Sequence, residues 1–261
     1  MFSDIVQGLS IRELISMGYL SDYELFAPQI DIDLSDVKNT AGDYNKGQLE
    51  QAVNKSSITG DAVRHYQTIA PGKRCVVMCA TLKHANDVCK RYKASGIEAR
   101  TIEGNMTNSD REKTLKEFEQ GVFKVICNVQ LLIEGVDIPS IEVVQWLRPT
   151  QSLIVWMQGN GRGLRPSKGK DKLIILDHVQ NWSKHGAPCE DREWSLKGRE
   201  KGKRKVKQTE DDISIQQCNK CYHVFVKGVN ACPKCGAAVP VKVRKIEEKE
   251  GSFIFTFTHE K

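Results

Sequence analysis

Two groups of residues in this chain have the types and spacing to do chemistry. Cys218, Cys221, Cys232 and Cys235 form two C-x-x-C pairs separated by ten residues. Each pair sits on a tight turn, Cys232-Pro233-Lys234-Cys235-Gly236 being a knuckle. Four thiolates close a tetrahedral Zn²⁺ site that leaves no open coordination position, so the metal is structural rather than catalytic. So short a stretch cannot bury a core, and the metal supplies much of its folding energy. The second group is Gln158-Gly159-Asn160-Gly161-Arg162-Gly163-Leu164-Arg165, which fills the pattern Q-x-x-G-R-x-x-R. Arginines at i and i+3 share one helix face, which lets both guanidinium forks reach the same anion. Some twenty residues upstream stands Glu134-Gly135-Val136-Asp137-Ile138-Pro139. Gly135 permits close backbone approach, Asp137 offers a carboxylate, and Pro139 ends the element.

The elements that position these residues alternate between strand and helix from about Ser57 to His178. Cys75 to Cys79 (CVVMC) is continuously apolar, as a parallel strand buried on both faces must be. Leu82, Ala85, Cys89 and Tyr92 then recur at helical spacing until Gly96, and Ile97 to Ile102 reads as a strand. Ser109 to Glu112 reads as a capping box opening a helix that ends at Gly121. Val125 to Cys127, Val143 to Leu147 and Leu173 to Leu176 supply three more strands. Short strands separated by helices imply right-handed crossovers and a mostly parallel sheet. The fold class is α/β, and ligands of such sheets bind beyond the carboxyl ends of the strands. Thr81, His84, Asn128, Gln130 and the Gln158–Arg165 stretch all follow strands, which puts them on one rim.

The boundaries follow from composition. Residues 1–56 hold a short amphipathic helix at Ser10 to Met17 and a polar, irregular stretch over 31–55 that reads as a loop or linker. The opening fragment buries no core of its own and must pack on the domain that follows or on one absent from this chain. Residues 57–180 are the α/β domain, 181–212 an extension and basic linker, 213–240 the cysteine module and 241–261 a tail. In the tail, Phe253, Phe255 and Phe257 alternate like a strand that needs a partner. The net charge is +6, and Lys197 to Lys207 holds seven basic residues and one acidic, leaving 32 of each sign elsewhere. That run is either a solvated linker or a segment that contacts phosphates and releases counterions, with Lys203, Arg204 and Lys205 at its centre. No apolar run is long enough to span a bilayer and the first residues carry no export signal, so no membrane is involved and a cytoplasmic location is expected. Cys75, Cys79, Cys89 and Cys127 behave as small hydrophobes in apolar segments. Asp177, His178 and His185 read as packing and hydrogen-bonding groups at the domain's end. Tyr222, His223 and Phe225 form either a stacking face for nucleic acid or the module's packing surface.

The pairing of E-G-x-D-x-P with Q-x-x-G-R-x-x-R resembles motifs V and VI of the second RecA-like motor domain of superfamily 2 helicases, closest to the phage and bacterial repair branch with L-L-x-E-G-x-D-x-P. The first strand and Thr81 look like motif IV, the opening fragment is similar to the end of a first motor domain, and the cysteine module resembles a zinc ribbon.

The resemblance implies the roles. Arg162 and Arg165 would face the γ-phosphate, with Arg165 as arginine finger, and Gln158 would couple nucleotide to motor movement. Gly135 and Asp137 would lie near the ribose, and Thr81, Asn128 and Gln130 would touch phosphates of a single strand. The family's hydroxyl at the start of motif V is here Cys127 or Asn128. Nowhere does the chain have G-x-x-x-x-G-K-[ST] or an Asp-Glu pair after a strand. It therefore reads as the C-terminal half of an ATP-dependent helicase or translocase. ATP with Mg²⁺ would bind only when a first motor domain is supplied in cis or trans. Nucleic acid is the expected partner, DNA in preference to RNA, in the cytoplasm, at the nucleoid or in a phage-infected cell. The alternative is a non-enzymatic nucleic-acid-binding protein on a motor-like scaffold.

Overall fold

The computed structural model describes residues 4–28, 34–40, 42–53, 56–129, 138–192, 194, 196 and 215–239. Along the chain these form α1 (Ile11–Ser16), β1 (Asp22–Phe26), β2 (Asn39–Thr40), β3 (Asp43–Tyr44), α2 (Lys46–Val53) and α3 (Ser56–Ile69). There follow β4 (Cys75–Met78), α4 (Leu82–Ala94), β5 (Ala99–Ile102), α5 (Asn108–Glu119), β6 (Val125–Asn128), β7 (Val143–Trp146) and α6 (Leu153–Gly163). The chain continues with β8 (Lys172–Asp177), α7 (Asn181–His185), β9 (Ile215–Gln217) and β10 (His223–Val226).

Eight strands make one sheet in the order β5-β6-β4-β7-β8-β1-β10-β9. From β5 to β1 every pairing is parallel, and β10 joins β1 antiparallel. The continuous apolar runs are explained by two cores. On β4, Val76 and Met78 enter one cluster with Trp146, Trp156 and Ile175, while Cys75, Val77 and, just past the strand, Cys79 enter the other with Tyr66, Tyr92 and Leu176. Alternate residues of a strand face opposite sides, so a strand covered on both sides is apolar throughout.

Helix starts follow from side-chain caps. Thr81 Oγ1 accepts the amide of His84 at 3.2 Å, and Ser10 and Glu13 form a reciprocal capping box. The cap of α5 is Thr107, whose Oγ1 accepts the Asp110 amide at 3.1 Å. The expected box at Ser109 is therefore corrected. Thr107-x-x-Asp110 has the same three-residue spacing, and Thr107 holds the extended backbone that a cap requires.

Of the two resting places open to the opening fragment, β1 takes the following domain, pairing over its whole length with β8. The stretch read as loop over 31–55 contains the β2–β3 hairpin and α2. Its small core of Leu49 and Val53 packs on Ala80, just past the end of β4. Too few apolar residues stand there to give a periodic signal, which is why the sequence reads as linker.

Candidate functional site: the strand rim, the arginine helix and the cysteine cluster

The carboxyl ends of the central strands are level, Met78 pairing with both Asn128 and Trp146, and Trp146 with Asp177. Thr81, Asn128 and the start of α6 therefore share one rim. The arginine end of the Gln158–Arg165 stretch does not, because α6 runs back along the sheet and Gly163 lies over Val144 and Leu173 near the amino ends of β7 and β8. Thr81 is half-buried, with its hydroxyl capping α4. Asn128 is fully buried, and its Nδ2 donates to the Val77 carbonyl at 3.0 Å. His84 is buried behind this rim, where desolvation pushes its pKa down to about 4. It is neutral, and its Nδ1 accepts the Ala80 amide at 3.4 Å. Gln130, Gly135, Asp137, Lys203, Arg204 and Lys205 lie outside the described residues.

The glycines of the arginine stretch place α6. A Cβ on Gly159 would stand 2.6 Å from Trp146 Cζ2, and one on Gly163 would stand 2.6 Å from Leu173 Cδ1. These two glycines, one turn apart, let the helix backbone lie directly on β7 and β8. Asn160 on the buried side accepts from Trp146 Nε1 at 2.9 Å, and the Trp146 and Trp156 rings meet at 5.1 Å. Gln158 is exposed and Arg162 half-exposed. Gly161, between them in sequence, has open space where a Cβ would go. Arg162 stands in the last turn, where a cation complements the carbonyl end of the helix dipole. Arg165 lies one residue past the C-cap Leu164. The two arginines are therefore presented by a helix end rather than by one continuous helix face. Lys170 fastens that end, its Nζ donating to the carbonyls of Gly163 and Arg165, and burial brings its pKa down to about 8.

The start of α6 is held by a residue that the sequence reading missed. Asp43 of β3 accepts from Arg148 Nη2 at 2.6 Å, Thr150 Oγ1 at 3.0 Å and the Gln151 amide at 2.7 Å. Asn181 and His185 hold the same loop from the other side, the Thr150 amide donating to Asn181 Oδ1 at 3.0 Å and His185 Nε2 lying 2.9 Å from the Thr150 carbonyl. Asp177 accepts from the Val179 and Trp182 amides at 3.2 and 2.7 Å, and His178 lies 3.0 Å from Gln145 Nε2. These three residues do the packing and hydrogen bonding expected of them.

At the far end of the sheet the four cysteines come together. The Sγ atoms of Cys218 and Cys235 are 3.7 Å apart and those of Cys221 and Cys232 3.6 Å, with all four within 4.8 Å of one another. A tetrahedron with metal–sulfur bonds of about 2.3 Å has edges of roughly 3.8 Å, so this set fits an ion such as zinc. No disulfide joins them. Among the described residues no other group of ligand side chains is so gathered. The aromatic residues of the module pack inward. Phe225 is buried with Cys218 and Cys232, His223 lies against Phe26 at 5.3 Å, and Tyr222 meets His65 edge-on at 5.6 Å. No helix of the described residues is long and apolar enough to cross a membrane.

A parallel sheet of this order, with an arginine-bearing helix laid on its central strands, is the architecture of a superfamily 2 helicase C-terminal motor domain. Residues 58–167 match the helicase conserved C-terminal domain family, and the chain carries a domain of that family. It is 30% identical over 233 residues to a 51.5 kDa protein of a Lactococcus phage, covering 89% of this chain and 50% of that protein. It is 28% identical over 178 residues to the Saccharomyces cerevisiae protein named as ATP-dependent helicase IRC3, covering 67% of this chain and 26% of that protein. The chain thus spans half or less of the length of these relatives. A solved fragment described as an HsdR subunit of a type I restriction enzyme from Vibrio vulnificus shares the fold, with a TM-score of 0.54 and 20% identity over 72% of this chain and 38% of that one.

Proposed function

We propose that this chain is the C-terminal motor half of an ATP-dependent nucleic-acid helicase or translocase, which completes its nucleotide site only against a first motor domain. The observation that carries the reading is the seating of α6, whose glycines fix it on the sheet while Gln158 stays exposed and Arg162 partly so. In this reading Arg165 is the arginine finger. It and Arg162 stabilise charge on the transferring phosphoryl group, and Gln158 links nucleotide state to movement. Gly135 and Asp137 lie by the ribose of ATP, which arrives with Mg²⁺ on the other motor. Thr81, Gln130 and the basic residues Lys203, Arg204 and Lys205 contact a single strand, DNA in preference to RNA, whereas Asn128 is fully buried and does not reach it. The buried carboxamide of Asn128 favours a part for it in shaping the rim backbone. Residues 1–56 lead from the first motor, and the four cysteines hold a structural Zn²⁺, which supplies crosslinking and no chemistry.

The test is ATP turnover with single-stranded DNA, by this chain alone and mixed with a first motor domain from the same source. Turnover in the mixture only is expected. Turnover by the chain alone would overturn the split site. No turnover in either, with salt-sensitive DNA binding retained, would make it a binding protein on a motor scaffold.

A further inference from the structure

We propose that Asp43 is a positioning residue for the arginine helix, linking the segment ahead of the motor domain to the start of α6; this rests on the motor reading above. Both carboxylate oxygens are engaged, Oδ2 by Arg148 and Thr150 and Oδ1 by the Gln151 amide. The groups it meets are buried, Arg148 at 4% and Thr150 at 1% exposure. A buried guanidinium must be paired to be tolerated, so this contact is strongly specified. The path continues to the helix. Thr150 Oγ1 accepts the Ser152 amide at 3.0 Å, and Ser152 Oγ caps α6 by accepting the Val155 amide at 3.4 Å.

The geometry divides the work of placing Arg162 and Arg165. Gly159 and Gly163 fix which face of α6 meets the sheet and how closely. Asn160 and Trp156 add side-chain contacts to Trp146 below, and the loop over 148–152 adds a restraint at the start of the helix, which Asp43 ties to the hairpin. That hairpin is itself anchored beside the end of β4 through Tyr44, which packs against Leu49 and Val53 of α2 and Ala80. A helix transmits a shift at its first turn to its last, so displacement of the hairpin moves the arginines. A misplacement of about 1 Å costs on the order of 100-fold where alignment matters.

The experiment compares the full chain with Asp43→Asn and, in case that variant folds poorly, Thr150→Val, which cuts the path to Ser152 but leaves the Arg148 pair. Two readouts are taken. Amide exchange at Gln151 to Trp156 in the chain alone should quicken at least tenfold, with β4 and β8 unchanged. With a first motor domain added, kcat should fall roughly 10- to 100-fold while KM for ATP stays within about twofold. Unchanged exchange overturns the link. Faster exchange with unchanged kcat leaves a structural clamp and overturns the positioning role. A wild-type mixture without turnover overturns the motor reading and the positioning role with it, whereas a working wild type beside an equally active variant overturns the positioning role alone.

Discussion

The amide of Ala27, one residue past β1, donates to the carbonyl of Tyr222 in the cysteine knuckle at 2.9 Å. Gln217 Nε2 donates to the Ala27 carbonyl, and Glu24 of β1 accepts from Lys172 of β8 and from Lys234 of the second knuckle, each at 3.0 Å. The cysteine module is thus an extension of the main sheet, and β1 is the strand both share. Chelation should lower the melting temperature of the whole chain in a single transition, by about 5 °C or more if the loss exceeds roughly 2 kcal/mol. Calorimetry with and without chelator checks it. A separate low-temperature transition, with the main one unmoved, would show an independent appendage.

Gly159→Ala should destabilise by about 1–3 kcal/mol, because its Cβ would overlap Trp146 in a filled core. Gly161→Ala meets open space in the same helix and should stabilise by about 0.5–1 kcal/mol. Urea unfolding of the two variants beside wild type measures both. Equal effects would mean that α6 does not lie on the sheet through its glycines.

Stability should fall between pH 7 and 5. Burial holds His84 at about 4 and His178 at about 3. A histidine depressed below its unfolded value of about 6.5 contributes stability that is whole above that value and lost as pH falls toward the folded one. Asp177 opposes this: burial pushes it up to about 7, so its contribution grows as pH falls. Two histidines outweigh one carboxyl, and the net loss is roughly 1–3 kcal/mol at pH 5. Denaturant midpoints across this range test the sign, and His84→Gln should make the decline shallower. A midpoint at pH 5 equal to or above that at pH 7 would refute the balance.

Much of the site was readable along the chain because its signals are local. CVVMC alternates between two cores as a doubly covered strand must, and the spacing of the cysteines brings four sulfurs together. The contacts that position these parts span long separations. Asp43 meets Arg148 105 residues on, and Leu25 pairs with Val224 across the length of the chain. Neither leaves a periodic or spacing signal, and Asp43 sits among polar residues that resemble a linker. Gly159 and Gly163 did carry a readable sign, since glycines four apart on a helix mark a face that approaches something closely. The i, i+3 spacing of Arg162 and Arg165 suggested one helix face, but the helix ends between them.

The central claim is that Arg165 reaches across to a nucleotide held by another motor domain. The most direct measurement is ATP turnover in the reconstituted mixture with Arg165→Ala in place of wild type. A fall in kcat of about 10³-fold or more, with KM for ATP nearly unchanged, is the predicted result. Turnover within a few-fold of wild type would contradict it.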